Sequence, residues 1–477
     1  MDTKTKAGLS AWQLTMLALG TVVGGSFFLG SSIAIRAAGP AIFLAFILGG
    51  VLVYFILSAL SEMAVANPRP GSFQAYSQEA FGPWLGFVVG WVYWTGLVLA
   101  MSSEATAASV FIQAWIPRVS LPALATIIVA GVTLLNLLGA RTLSHLESSL
   151  AAVKLAALAG FAGLALALII GIFPGKAPVG LGALALEPVF PGGIRGVAGS
   201  MLIVLFSYAG FEIIGLASSE ARDPHKTIPR AIIYTVIVLI GLYCSVIAVL
   251  LPLVPTAGLS QEVSPLVAAL TSGGLSRAAG SINVIMITAI ISTMLAATFG
   301  LGRMVRSLAD AGHAPAFLVD KGDVPLRGIL FSGAAMLASV SLGYLLPRQI
   351  YLFLVSSGGF SLLFVYAIIL ITHNKHRRIY GCPPKGHCQL AGFPYTSWFA
   401  IAGLVAVIAT MPLIPGQGSG LYVGLLLTGF YLMVYTIFKS NPRRLFSRGL
   451  ALAKPLPPNL LNTKEHPNQI NKEPGRK

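Results

Sequence analysis

The chain consists of long apolar runs that are separated by short polar segments. Runs without Asp, Glu, Lys or Arg include residues 7–35, 231–261 and 386–438, which are 29, 31 and 53 residues long. About 20 apolar residues cross a bilayer as a helix. Runs rich in Val, Ile and Leu, without a ten-residue alternating pattern, favour helices over a transmembrane β-barrel. The pattern therefore predicts an all-α integral membrane protein.

Twelve transmembrane helices are predicted from these runs. The longest run contains a Pro- and Gly-rich turn at 415–420, which divides it into two helices. The first run is too long for a cleaved signal peptide and continues into a second apolar run. The predicted helices start near residues 12, 40, 84, 122, 144, 196, 229, 280, 328, 350, 396 and 421.

The distribution of basic residues predicts the orientation of the chain. There are 31 Lys and Arg against 15 Asp and Glu, a formal charge of +16. With the N-terminus inside, 24 of the 31 fall on the inner side and six on the outer side, as the positive-inside rule requires. We therefore expect cytoplasmic termini (1–11 and 440–477) around a transmembrane domain at 12–439. The charge needs no nucleic-acid partner, and the Pro-, Asn- and Lys-containing tail is predicted to be disordered.

Composition excludes several other classes. Only 10% of the residues are charged, against roughly a quarter in soluble proteins, so the chain lacks the polar surface of a soluble domain. Three cysteines indicate no disulfide framework. Cys382 and Cys388 lie near His387 in a predicted inside loop, but their spacing matches no standard zinc pattern. We expect no metal and no cofactor.

Two predicted helices contain residues that interrupt a membrane helix. The first (14–35) contains Gly24-Gly25-Ser26, and the sixth (202–218) contains Gly210 and the acidic Glu212. Interruptions at corresponding places in two halves indicate a transporter with inverted repeats and a binding site near the bilayer midplane. Close helix packing explains the small residues of the first helix equally well when that helix is considered alone.

These segments resemble the amino acid–polyamine–organocation superfamily of permeases. The resemblance includes Gly24-Gly25-Ser26-Phe27-Phe28, in which Ser26 stands where the family usually has Gly. It also includes Gly210-Phe211-Glu212 with the following Glu220-Ala221-Arg222-Asp223-Pro224. It implies a five-plus-five inverted repeat (about 12–172 and 196–372), two extra helices (about 396–438), broken helices 1 and 6, and amino acids or related amines as substrates. Such a protein is not an enzyme.

The resemblance also implies a substrate site at the two interruptions. The substrate's carboxylate is expected at backbone N–H groups of the first helix, and its ammonium at backbone carbonyls of the sixth. Phe206 resembles a gate residue of the family, whereas ordinary packing explains Phe211 equally well. The predicted substrate-binding residues are Val23, Gly24, Gly25, Ser26, Phe206, Ser207, Ala209, Gly210 and Phe211.

Lys154 is the single basic residue within a predicted span. A buried lysine is able to exchange a proton near neutral pH, and this position resembles the fifth-helix lysine of proton-coupled members. The predicted function is therefore import of amino acids across the cell membrane by proton-coupled symport with alternating access. A structural role, pairing Lys154 with Glu147 or with first-helix carbonyls, stays open.

Several assignments keep two interpretations at this point. Glu104 and Glu212 belong either to a substrate or proton path or to hydrogen bonding among neighbouring helices. Ser292 and Thr293 keep sodium coupling open, and an amino acid/amine exchanger of the same fold is a further alternative. Neither the amino acid nor the oligomeric state follows from the sequence.

Overall fold

The chain is helical along nearly its whole described length. The structure is a computed structural model that describes residues 8–66, 71–175, 177–216, 221–320, 322, 324–346, 349–382 and 388–440. Within these ranges it has no β-strand beyond an isolated bridge between Leu9 and Ala221. The helices are α1 Ala11–Val22, α2 Gly25–Phe28, α3 Gly30–Ala38, α4 Ile42–Ala66, α5 Phe73–Phe81, α6 Pro83–Gln113, α7 Leu121–Asn136, α8 Ala140–Ile170, α9 Gly193–Tyr208, α10 Ile213–Leu216, α11 Pro224–Leu250, α12 Pro265–Ser272, α13 Ser276–Asp310, α14 Leu326–Ser341, α15 Ile350–Tyr380, α16 Tyr395–Thr410 and α17 Gly418–Ser440.

The apolar runs form the expected membrane helices. Ten helical segments in the described ranges are long and apolar enough to cross a bilayer, and α1 and α7 are shorter apolar helices. A helix begins within five residues of every predicted start. The all-α membrane class is confirmed, whereas twelve crossings and the inverted repeat remain predictions.

Helix α6 lies at the centre of the bundle. Its apolar stretch is 94% buried within the protein, against 6% for α17, whose side chains face outward. A Cβ on Gly358 of α15 would lie 3.1 Å from the carbonyl oxygen of Gly96, so glycine lets the two helices pack closely. This packing places one face of α6, at residues 93, 97, 100, 101 and 104, toward the middle of the molecule.

Helix α1 has 12 residues, fewer than a bilayer crossing requires, and α2 begins after two extended residues. We name residues 23–24 the first break. Val23 still donates its N–H to the carbonyl of Leu19, and Gly24 is extended, with φ −147° and ψ −161°. Gly25 then starts α2, so backbone N–H groups are directed away from any helical partner.

A similar interruption, named the second break (residues 209–212), separates α9 from α10. Ala209 is extended, and Gly210 has φ +108°, which glycine adopts without steric cost. Thr21 donates its hydroxyl to the carbonyl of Gly210 at 3.1 Å. The Ser207 hydroxyl donates to the carbonyl of Ser26 at 3.2 Å. The two breaks therefore lie side by side.

A disulfide joins Cys382 and Cys388, whose Cα atoms lie 5.3 Å apart. The sequence indicated no disulfide framework, and this single pair was not predicted. Some predictions lie outside the described residues: the terminal segments 1–7 and 441–477, Glu220, His387, and the side chain of Glu147.

Candidate functional site

A cavity of about 50 Å³ lies between the second break and residues Thr21 and Val22, which directly precede the first break. This volume has room for a few water-sized groups. Helices α6, α13 and α15 complete its wall, which is largely apolar and includes Leu97, Met101 and Leu362. Five of the predicted site residues line it: Phe206, Ala209, Gly210, Glu104 and Glu212.

Glu104 binds the backbone that follows the first break. Its carboxylate accepts hydrogen bonds from the N–H of Gly25 at 2.5 Å and from that of Ser26 at 3.0 Å, and its side chain is 3% exposed. A Cβ on Gly24 would lie 2.7 Å from Glu104 Oε2, so this close approach requires glycine. The N–H groups that were predicted to bind a substrate's carboxylate are thus bound here to a carboxylate of the protein.

Lys154 binds the other end of the first break. The side chain is 1% exposed, and Nζ donates to the carbonyl of Gly20 at 2.6 Å and to Thr293 Oγ1 at 2.7 Å. Thr293 in turn donates to the carbonyl of Val23 at 3.0 Å. The ammonium therefore joins α8 and α13 to the end of α1, which is the contact with first-helix carbonyls that the sequence left open.

At the second break, the carboxylate of Glu212 binds the backbone of the same segment. Glu212 accepts the N–H of Gly210 at 3.0 Å and the hydroxyls of Tyr93 and Tyr366 at 3.1 and 3.2 Å. Its side chain is 1% exposed. These hydrogen bonds satisfy an acid that would be costly to bury without partners.

The predicted residues around the sixth helix have different surroundings. Phe206 faces the cavity, whereas Phe211 packs against the ring of Tyr366, 5.0 Å between centroids, and does not line the cavity. The carbonyl of Ser207 accepts the hydroxyl of Tyr243 at 2.9 Å. The sequence did not single out Tyr93, Tyr243 and Tyr366. A tyrosine in an apolar helix has no pattern that distinguishes it from a packing residue.

Charge at the cavity is unevenly distributed. Glu104 and Glu212 line it, and no described lining residue is Lys, Arg or His. Lys154 does not line the cavity. It donates a hydrogen bond to Thr293, which in turn contacts Val23 at the first break. Ser292 is buried but does not line the cavity. Within the described ranges, no three His, Cys, Asp or Glu side chains form a group that could hold a metal ion.

The fold is shared with a solved membrane transporter. The crystal structure of a manganese transporter from Eremococcus coleocola superimposes with a TM-score of 0.53. The match covers 89% of this chain and 93% of that one, at 14% sequence identity. At this identity the likeness establishes the helical architecture only.

Sequence comparison establishes the family. The profile of the amino acid permease family matches residues 13–447, and the chain belongs to this family. The γ-aminobutyric acid permease of Bacillus subtilis (strain 168) is 30% identical over 91% of this chain and 94% of its own length. An aromatic amino acid transport protein of Corynebacterium glutamicum is 31% identical over 92% and 96%. An L-asparagine permease of Streptomyces coelicolor is 31% identical over 84% of each chain.

This membership confirms the resemblance that the sequence motifs indicated. The protein is a multi-pass membrane permease and not an enzyme, and its class of substrate is amino acids.

Proposed function

We propose that the protein imports amino acids across the cell membrane by proton-coupled symport, with both termini in the cytoplasm. The substrate binds in the cavity between the two breaks and reaches each side of the membrane by alternating access. The related permeases are named for γ-aminobutyric acid, aromatic amino acids and L-asparagine. Substrates of this size range, with an amine and a carboxylate, are the expected cargo.

The contacts of Lys154 support a proton as the coupling ion. An ionisable residue buried within the membrane marks function by default. Hydrogen bonds from a charged donor are roughly twice as strong as neutral ones, so loss of the proton weakens the hold of Nζ on the Gly20 carbonyl. The protonation state of Lys154 thereby controls how firmly α1 is held at the first break.

The same contacts argue against sodium. Sodium coupling would require oxygen ligands near the first break, and Thr293 and the carbonyl of Gly20 are the candidates. Both already bind the Lys154 ammonium, at 2.7 and 2.6 Å. A sodium ion there would have to displace the Lys154 ammonium from both oxygens.

Uptake into proteoliposomes tests the coupling. With an acidic exterior, we expect wild-type protein to accumulate at least one of radiolabelled γ-aminobutyric acid, L-phenylalanine and L-asparagine. Lys154→Ala is expected to lose this pH-driven accumulation while still binding the same compound. Lys226→Ala is the matched control, because the side chain of Lys226 is 75% exposed and pairs with Asp223 three residues away.

Normal pH-driven uptake by Lys154→Ala would refute proton coupling through this residue. Counterflow in wild-type vesicles without a pH gradient, dependent on amine loaded inside, would instead establish an exchanger. Uptake that requires sodium at a fixed pH would establish sodium symport.

A further inference from the structure

The contacts of Glu104 raise a question about where a substrate's carboxylate binds. Each backbone N–H has one hydrogen to donate. The N–H groups of Gly25 and Ser26 donate theirs to the two oxygens of Glu104, at 2.5 and 3.0 Å. A substrate's carboxylate and the Glu104 carboxylate therefore cannot both be bound by these two groups.

The position of Glu104 is built into the surrounding packing. The residue lies on the enclosed helix α6 and lines the same cavity as the second break. Gly24 and Gly25 leave space for it, since a Cβ on either would lie 2.7 or 3.0 Å from Glu104 Oε2. No described residue of the cavity wall offers an anion a Lys, Arg or His side chain in place of these N–H groups.

We propose that Glu104 occupies the place of the substrate's carboxylate and releases the Gly25 and Ser26 N–H groups when it takes up a proton. The inference rests on the proposed function and adds a specificity-determining residue to it. One proton moves from solvent to the Glu104 carboxylate, and the substrate's carboxylate then accepts the two freed hydrogen bonds. The first break faces one negative charge before and after the exchange, so Lys154 keeps the same net charge opposite it.

Other titratable groups around Glu104 do not compete for these N–H groups. Tyrosine hydroxyls are uncharged near neutral pH, Lys154 binds carbonyl and hydroxyl oxygens, and Glu212 has its own donors. Tyr351 donates to the carbonyl of Gly25, not to its N–H. The groups that face Glu104 or share its cavity are Lys154 on α8, Tyr243 on α11, Tyr351 on α15, and Tyr93 and Glu212 around the second break.

Binding measured against pH tests this exchange. The probes are L-phenylalanine and γ-aminobutyric acid, each beside its decarboxylated analogue, phenethylamine or propylamine. For wild-type protein, affinity for the amino acid is expected to rise about tenfold for each unit that the pH falls, because one proton binds with it. Affinity for the amine should not rise. Glu104→Gln should bind the amino acids with the same affinity across this pH range.

Glu187→Gln is the matched control. Glu187 also accepts a backbone N–H, from Thr256 at 2.6 Å, and the Thr256 hydroxyl at 2.7 Å, but it does not line the cavity. This variant should keep the wild-type pH dependence. The wild-type contrast between amino acid and amine requires no variant, so it decides the matter even if Glu104→Gln does not fold.

Two results would overturn the proposal. These are an unchanged pH dependence in folded Glu104→Gln, or an equal rise in affinity for the amine and the amino acid in wild-type protein. If wild-type protein transports a probe but either result is found, this proposal fails and the transport function stands. If wild-type protein neither binds nor transports any of the amino acids, both fail.

Discussion

The two breaks in the helices are held by different kinds of side chain. Charged groups from other helices bind the backbone at the first break: Glu104 from α6, and Lys154 from α8 with Thr293 from α13. The second break is bound by Glu212 of the same segment and by two tyrosine hydroxyls. Residues of the second break line the cavity together with Thr21 and Val22, which directly precede the first break.

This difference assigns the two breaks different roles. Contacts from separate helices can be broken one at a time, by a proton or by a competing carboxylate, while each helix stays folded. At the second break the positive φ of Gly210, the short link to Glu212 and the neutral tyrosine donors favour one conformation. We therefore expect the first break to be the responsive part of the site and the second break to keep one conformation.

The largest effect is expected from Gly210→Ala. An alanine would be strained at φ +108°, and its Cβ would lie 2.9 Å from the carbonyl oxygen of Thr21 in the neighbouring helix. Such a backbone conformation costs roughly 1–3 kcal/mol, and relieving the contact moves the breaks apart. We expect a lower thermal unfolding temperature and at least a tenfold loss of uptake.

Gly160→Ala is the control for this substitution. A Cβ at Gly160 meets no atom within 4 Å, and the residue lies inside α8. Alanine should be neutral or slightly stabilising there. Wild-type uptake by Gly160→Ala and Gly210→Ala alike would contradict a fixed second break.

A smaller effect is expected from Tyr366→Phe. The substitution removes one of the hydroxyls that bind Glu212, at 3.2 Å, and leaves the ring that packs on Phe211. Because the Gly210 N–H and Tyr93 still bind Glu212, the loss should be about 1 kcal/mol. Thermal unfolding in detergent measures it, with the exposed Tyr422→Phe as control. A changed pH dependence of uptake in Tyr366→Phe would show that the second break also responds to protons.

The smallest effect on uptake is expected from His313, where acid acts on the stability of the fold rather than on the breaks. His313 follows α13, outside the membrane-spanning segments, and burial lowers its pKa to about 4. Between about 6.5 and 4 the unfolded chain binds a proton that the folded chain does not, so the free energy of unfolding falls as the pH falls. The contribution is at most about 3 kcal/mol. His313→Gln should make the unfolding temperature less dependent on pH in this range; an unchanged dependence would contradict the assignment.

The sequence predicted the helices and the backbone of the site better than the partners of that backbone. Apolar run length placed every major helix start, because crossing a bilayer requires a long apolar segment. Gly24, Gly25 and Gly210 marked the breaks, since small residues there are unfavourable within a helix. The short helices α5 and α12 were not predicted, because each is too short to produce an apolar run.

The partners were harder to predict because they depend on helix packing. Glu104 and Gly25 are 79 positions apart, and Lys154 and Thr293 are 139 apart. No local pattern relates residues at such separations. The sequence singled out Glu104 and Lys154 through the cost of burying charge, but only the arrangement of α6, α8 and α13 shows which groups they bind.

Hydrogen exchange at the two breaks tests the difference between them most directly. Peptides covering residues 19–29 and 206–216 would be compared in wild-type protein and Lys154→Gln at one pH. We expect exchange in 19–29 to be at least tenfold faster in the variant, because the charged hold on Gly20 is lost, and exchange in 206–216 to be unchanged. Equal acceleration of both peptides, or none in 19–29, would contradict a responsive first break beside a fixed second one.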